Sequence, residues 1–198
     1  MKIEPYVLIG GASTRFGRDK ATYVFKNERL ADRAARIAES ALKSGPAFFV
    51  TSERAPDFSS KEGSRVIKDV VPGRGAVGAV HTALVNAVSP WIFVLACDLA
   101  FLTTEFVSVL QSRIDNEMEA VVPVQSDGRW QPLCAFYRVG PCRQVFERAV
   151  RFGGKVSSLR EITASLNVCL VGSDEIRAKF DEMVLKNVNR PEDLPMIQ

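Results

Sequence analysis

Histidine is nearly absent from this chain: His81 is the only one among 198 residues. A Ser-His or Cys-His nucleophilic pair would have to use it, and it lies in the apolar stretch AVGAVHTALVNAV, where it reads as an ordinary helix residue. Cysteine is sparse too. Cys97, Cys134, Cys142 and Cys169 form no C-x-x-C pair, and with a single histidine the ligand spacing of a structural zinc site is missing. No apolar run approaches the roughly 20 residues a bilayer span requires, and the first residues are too charged and too short-running for a secretory leader. A cytoplasmic protein without membrane association is therefore expected. Charge of one sign is lacking as well: 26 basic residues are interspersed with 23 acidic ones for a net charge of +3. Without a basic stripe there is no nucleic-acid face, and the small excess suits a small anionic substrate. No repeat, low-complexity tract or Pro/Gly-rich linker divides the chain, so a single domain over residues 1–198 is expected.

What is present alternates. The short apolar runs YVLI, AFFV, RVI, WIFVLA, EAVVPV and LCAFYR are separated in several places by amphipathic stretches such as ADRAARIAESALKS and TEFVSVLQSRIDN. Strand-helix alternation predicts an α/β fold with a mainly parallel sheet, and ligands at the carboxyl ends of its strands. From about Ala120 the spacing changes. VVPVQSDGRWQPLCAFYR leaves no room for a crossover helix and predicts a small antiparallel insertion beside the pocket.

The first strand runs into LIGGASTRFGRDK, residues 8–20. Gly10 and Gly11 let backbone N–H groups approach a ligand, Ser13 and Thr14 add hydroxyls, and Arg15, Arg18 and Lys20 add cations around Gly17. Neutralising several phosphate charges together needs such a set. It is not a P-loop, because Lys20 follows Gly17 at a distance and no hydroxyl residue stands next to it for magnesium.

GRGAVG, with Gly73, Gly75 and Gly78, matches the dinucleotide pattern G-x-G-x-x-G, so an NAD-dependent oxidoreductase is one reading. Val70, Val71 and Pro72 interrupt the strand-to-glycine junction that this pattern requires. WIFVLACDLAFL reads as a buried strand ending in a carboxylate, Asp98, which could hold a ribose or a phosphate-bridging magnesium ion. Thr103 and Thr104 are better placed than Asp98 to cap the following helix. Asp69 stands at a neighbouring strand tip.

These segments resemble the MobA-like nucleotidyltransferases. LIGGASTRFGRDK is similar to their signature L-x-G-G-x-S-x-R-x-G-x-D-K, and VIKDVVPGRGAVGAV, FVLACDLAFL and KNVNRPEDL agree in order over nearly the whole chain. The ending from Asn187 to Leu194 narrows the resemblance to members that transfer GMP from GTP to molybdopterin. The resemblance implies a three-layer α/β/α, Rossmann-like nucleotidyltransferase fold, its N-terminal half binding nucleotide and its C-terminal half the acceptor. It implies Leu8, Ile9 and Gly10 at the guanine base, and Arg15 and Lys20 at the phosphates. Gly11, Ser13, Gly17, Asp69 and Gly75 complete the nucleotide site, Asp98 binds magnesium and GTP, and Asn187 and Asn189 serve the pterin. Arg15, Lys20 and Asp98 would be the catalytic residues. GTP and molybdopterin are the implied partners, with a molybdoenzyme or its chaperone as a further candidate and a monomer or weak oligomer as the expected state. Two departures stand out. The usual G-P-L-x-G is Gly75-Ala76-Val77-Gly78-Ala79 here, and a base-side asparagine of some members corresponds to TSER, with Glu53 nearest.

A cytidylyltransferase or sugar nucleotidylyltransferase would share the loop and Asp98, and a non-catalytic adaptor could keep the fold without turnover. Asp127-Gly128-Arg129 reads as a hairpin turn or a pterin contact, and Gly153-Gly154-Lys155 as a helix end or a phosphate contact.

Overall fold

The computed structural model describes residues 1–10, 20–52, 58, 65–151 and 158–194. Two strands form its centre, β1 (Ile3–Leu8) and β6 (Trp91–Ala96), paired in parallel from Ile3 opposite Trp91 to Leu8 opposite Ala96. Every residue of both strands is buried, as befits strands covered on both faces, whose apolar runs are continuous rather than alternating. Outside β1 lie β4 (Phe48–Thr51) and β5 (Arg65–Lys68), both parallel to it. Beyond β6 come β8 (Cys134–Arg138), β7 (Ala120–Pro123) and β9 (Val168–Val171), which among the described residues complete a seven-stranded sheet in the order β5-β4-β1-β6-β8-β7-β9. Within that sheet only β8 runs against its neighbours. The reversal expected near residue 120 thus lies within the main sheet, while a separate two-stranded antiparallel hairpin is built from β2 (Val24–Phe25) and β3 (Glu28–Arg29).

The period of two along each strand divides the core into two layers. Ile3 and Val7 of β1, with Phe93 and Leu95 of β6, pack against α1 (Leu30–Leu42) and α3 (Thr104–Gln111). Tyr6 and Leu8, with Ile92 and Val94, face the opposite way against α2 (Gly75–Asn86), α4 (Val139–Arg151) and α5 (Leu159–Ala164). Each fully buried side chain of this size stabilises the fold by about 1.5–3 kcal/mol. The result is the expected α/β/α sandwich. A short helix, α6 (Ser173–Arg177), follows β9. Helix α3 begins where expected, with the Thr103 hydroxyl accepting from Phe106 N at 3.2 Å, which leaves the Asp98 carboxylate out of the capping role.

A third, smaller apolar cluster gathers distant segments. Phe25 of β2, Leu30 at the start of α1, Ala100 after β6, and Val188 and Leu194 near the end pack together. The Arg33 Nε of α1 donates to Ala100 O at 2.8 Å and fixes the same loop. This cluster sits beneath the carboxyl ends of the central strands and determines which side chains meet there.

His81 lies in α2 as its sequence setting predicts, buried against α4, with no hydrogen-bond partner for either ring nitrogen among the described residues. Desolvation lowers its pKa; Glu147 opposes that shift, while Arg143 and Arg151 reinforce it. The ring is therefore neutral in the fold but takes up a proton in the unfolded chain as pH falls below the ordinary value of 6.5. Stability is retained above that value and declines below it, by at most about 1.4 kcal/mol per pH unit. Denaturant unfolding between about pH 7.5 and about pH 5.5 is expected to show this slope, and His81→Leu is expected to flatten it.

Candidate active site

The tip of β1 is held from both sides. Ile9 N donates to Val50 O at 2.9 Å, and Cys97 N donates to Leu8 O at 3.3 Å. Gly10 then passes so close to the β4 exit that a Cβ there would stand 2.6 Å from Ser52 N, inside any permitted contact. Here the absence of a side chain is a packing requirement. Asp69 N donates to Thr51 O at 2.9 Å, which carries Asp69 to the same end of the sheet. These strand tips, with the start of α2, enclose a cleft of about 730 Å³ lined by Leu8, Ile9, Gly10, Lys20, Asp69, Gly75 and Asp98. It opens at the carboxyl ends of β1 and β6, where chain direction across the sheet reverses and open α/β sheets bind ligands.

Asp98 is the centre of a side-chain cluster at the cleft's edge. Lys20 Nζ donates to its Oδ2 at 3.1 Å, and Asn187 Nδ2 donates to its Oδ1 at 2.9 Å. Lys20 also reaches Asn189 Oδ1 at 3.4 Å. The two charged side chains are only 17% and 18% exposed, so this ion pair is far less screened than a surface pair. Segment 186–189 belongs to no strand or helix. It is anchored by Val188, which is fully buried and donates its N–H to Asp98 O at 2.9 Å. With Val188 buried in the third cluster, Asn187 and Asn189 both reach the Asp98–Lys20 pair. The turn after Asn189 is closed by Asp193, whose carboxyl is held below the usual range by the backbone N–H groups of Asn189 and Arg190.

On the far side of these asparagines lies a second cleft of about 480 Å³, lined by Gln125, Asp127, Arg129, Arg177, Lys186, Asn187 and Asn189 among others. Residues 127–129 are indeed a turn. Gly128 has φ +79°, and Arg129 Nε donates to Asp127 Oδ2 at 2.6 Å. Because Asp127 and Arg129 line the second cleft, the turn is also part of its wall.

The structure thus brings together Leu8, Ile9, Gly10, Lys20, Asp69, Gly75 and Asp98 at one cleft, and joins Asn187 and Asn189 to them. Gly11, Ser13, Arg15 and Gly17, like Glu53 and Gly153 to Lys155, lie outside the described residues. The GRGAVG segment does not close a strand: β5 ends at Lys68, and residues 69–74 intervene before α2 opens at Gly75. Gly73 and Gly75 have positive φ, and Gly75, Ala76 and Ala79 border the cleft. Sequence reasoning missed Gln131, whose Nε2 donates to Asn187 Oδ1 at 2.8 Å. Nothing local marks it, since its partner is 56 residues away.

Among the described residues no group of three His, Cys, Asp or Glu side chains could hold a metal by itself. The Lys20 ammonium, however, already lies between two oxygens, Asp98 Oδ2 and Asn189 Oδ1. A single carboxylate with a neighbouring amide oxygen suits magnesium, which takes one or two protein oxygens and completes its shell with substrate phosphates and water.

Fold and cleft together define a Rossmann-like nucleotidyltransferase. The MobA-like NTP transferase domain matches residues 6–168, and the chain belongs to that family. It is 32% identical over 195 residues to a protein of Halalkalibacterium halodurans described as "Probable molybdenum cofactor guanylyltransferase", covering 95% of this chain and 93% of that one. A protein of Bacillus mycoides with the same description is 26% identical over 196 residues, covering 97% and 94%. The crystal structure of molybdopterin-guanine dinucleotide biosynthesis protein A from Archaeoglobus fulgidus shares the fold, with a TM-score of 0.76, 24% identity and coverage of 96% and 94%.

Gly10→Ala tests the close approach at the strand tips. Forcing a methyl group against Ser52 N requires backbone movement and is expected to lower stability by about 1–3 kcal/mol in equilibrium unfolding. Nucleotide affinity is expected to fall with it, because the same backbone lines the cleft.

Proposed function

We propose that this chain transfers GMP from GTP to molybdopterin, with magnesium as cofactor and pyrophosphate as the second product. The observation that carries the reading is the Asp98 cluster lying between two clefts. An enzyme that joins two phosphate-bearing molecules needs one point of charge control with a substrate on either side. The guanylyltransferase descriptions of relatives matched over nearly their full lengths support GTP and molybdopterin as those substrates.

In this reading Leu8, Ile9 and Gly10 face the base, Asp69 and Gly75 border the nucleotide, and Lys20 meets its phosphates. Gly11, Ser13, Arg15 and Gly17 complete the phosphate loop. Asn187 and Asn189 offer amide donors and acceptors to the pterin side. An oxygen of molybdopterin's terminal phosphate bonds to the α-phosphorus of GTP while the bond from that phosphorus to the α,β-bridging oxygen breaks, its electron pair leaving with pyrophosphate. No protein base is needed, because a phosphate monoester has its second pKa near 6 and is largely ionised at neutral pH. His81, buried in α2 and lining neither cleft, agrees with such chemistry. Lys20 and Arg15 stabilise the charge gathering on the leaving group. When bound, magnesium supplies Lewis-acid polarisation and screening at the phosphate oxygens, with Asp98 as its protein ligand.

Asp98→Asn and Lys20→Ala are each expected to lower turnover at least about 100-fold in a GMP-transfer assay while leaving a cooperatively folded protein. Full activity of Asp98→Asn would remove the metal assignment. A thermal-shift series with GTP, CTP, ATP and NAD, each with and without magnesium, tests the nucleotide. Magnesium-dependent stabilisation selective for GTP, about 5 °C or more at a concentration of about 100 Kd, is expected. A CTP-selective shift would change the product to a cytidylyl conjugate, an NAD-only shift would move the site to GRGAVG, and no shift with any nucleotide would leave an adaptor.

A further inference from the structure

The Asp98 cluster does not end at Asn187. An ionised carboxylate can only accept hydrogen bonds, so the Asn187 group that meets Asp98 Oδ1 at 2.9 Å must be its NH2. The opposite end of that amide, Oδ1, then faces Gln131 at 2.8 Å and requires a donor there, which Gln131 Nε2 supplies. Were the Gln131 amide reversed, its oxygen would oppose the Asn187 oxygen. Were the Asn187 amide reversed instead, its oxygen would oppose the Asp98 carboxylate. The polarity of the two amides is thus set in one direction from Asp98 outward.

Gln131 is built for holding rather than binding. It is 6% exposed and lines neither cleft. Its backbone is tied at both ends to the β7–β8 connection: Gln131 N donates to Pro123 O at 2.9 Å, and Cys134 N donates to Gln131 O at 2.9 Å. The following residue is fixed as well, since the buried Tyr137 hydroxyl donates to Pro132 O at 2.7 Å. Asn187, by contrast, lies on a segment without sheet pairing, half-buried between the clefts. A rigid buried donor opposite a less constrained amide is the arrangement that keeps an Asn from turning over.

We propose that Gln131 is a positioning residue for the transfer reaction: it fixes the orientation of the Asn187 amide, and through it the Asn187 Nδ2 to Asp98 contact between the two clefts. This inference rests on the proposed GMP transfer for its kinetic test but not for its structural one. Gln131→Met removes the donor at similar volume, and Gln131→Glu replaces it with a near-isosteric group that donates only when protonated. In the Gln131→Glu variant the ionised carboxylate would compete with Asp98 for the Asn187 NH2 group and leave one of the two carboxylates opposite the Asn187 oxygen. Protonation of that carboxylate would restore the original polarity.

The experiment combines kinetics with amide exchange. Gln131→Met is expected to lower kcat/KM about 10- to 100-fold, as loss of a supporting hydrogen bond behind a ligand does. In an Asn187→Ala background the same change is expected to matter less than about threefold, because its target is gone. Gln131→Glu is expected to recover activity relative to the parent protein as pH falls from about 8 to about 5.5, a trend Gln131→Met lacks. Independently of turnover, the Asn187 side-chain NH2 signals, assigned by their loss in Asn187→Ala, are expected to exchange with solvent at least about tenfold faster in Gln131→Met at an unchanged fold. Multiplicative effects of the two substitutions, or unchanged Asn187 exchange, would overturn the inference. Absence of GMP transfer by the parent protein would instead overturn the proposed reaction, leaving amide exchange to decide the role of Gln131.

Discussion

A carboxylate withdrawn from water must be compensated, and much of this molecule's functional end can be understood as the compensation of Asp98. It leaves the tip of the most buried strand pair, largely shielded from solvent, and takes its partners from residues 78 and 89 positions away in the chain. Lys20 neutralises one oxygen, and Asn187 satisfies the other. Leaving such a group without partners would be strongly destabilising, whereas a paired one is nearly balanced between desolvation and attraction. The cluster therefore contributes placement more than net stability.

Placement on this scale has to be enforced by something less directional than a hydrogen bond. The small apolar cluster of Phe25, Leu30, Ala100, Val188 and Leu194 serves that purpose. It offsets the conformational entropy lost when three remote segments are ordered side by side, which the polar contacts above it could not do alone. Val188 joins both layers, its side chain buried in the cluster and its N–H on the Asp98 carbonyl. The stretch is held at the site without becoming a strand, and Asn187 and Asn189 line the second cleft while meeting Asp98 and Lys20.

The proposed chemistry fits this arrangement. An anionic phosphate nucleophile needs charge managed rather than a proton removed, and a chain with one buried histidine is equipped for the former.

Alternation of apolar runs with amphipathic stretches made the parallel α/β core legible, because strand and helix periods are local and burial on both faces leaves an uninterrupted apolar signal in β1 and β6. The β2–β3 hairpin and β9 escaped that reading. The hairpin strands have two residues each, and β9 at Val168–Val171 is only partly buried at an edge, so neither carries a periodic pattern long enough to distinguish. By itself the sequence determined the alternation of the main strands and helices, the glycine-rich first loop and the identity of Asp69, Asp98, Asn187 and Asn189 as candidates, since residue type and spacing are written along one dimension. Only the tertiary structure decided that Lys20 and Asn187 share Asp98, that Asp127 and Arg129 wall a second cleft, and that Gln131 stands behind Asn187. Those are contacts between segments brought together by burial of distant side chains, and no local pattern encodes a partner that the chain reaches only by folding.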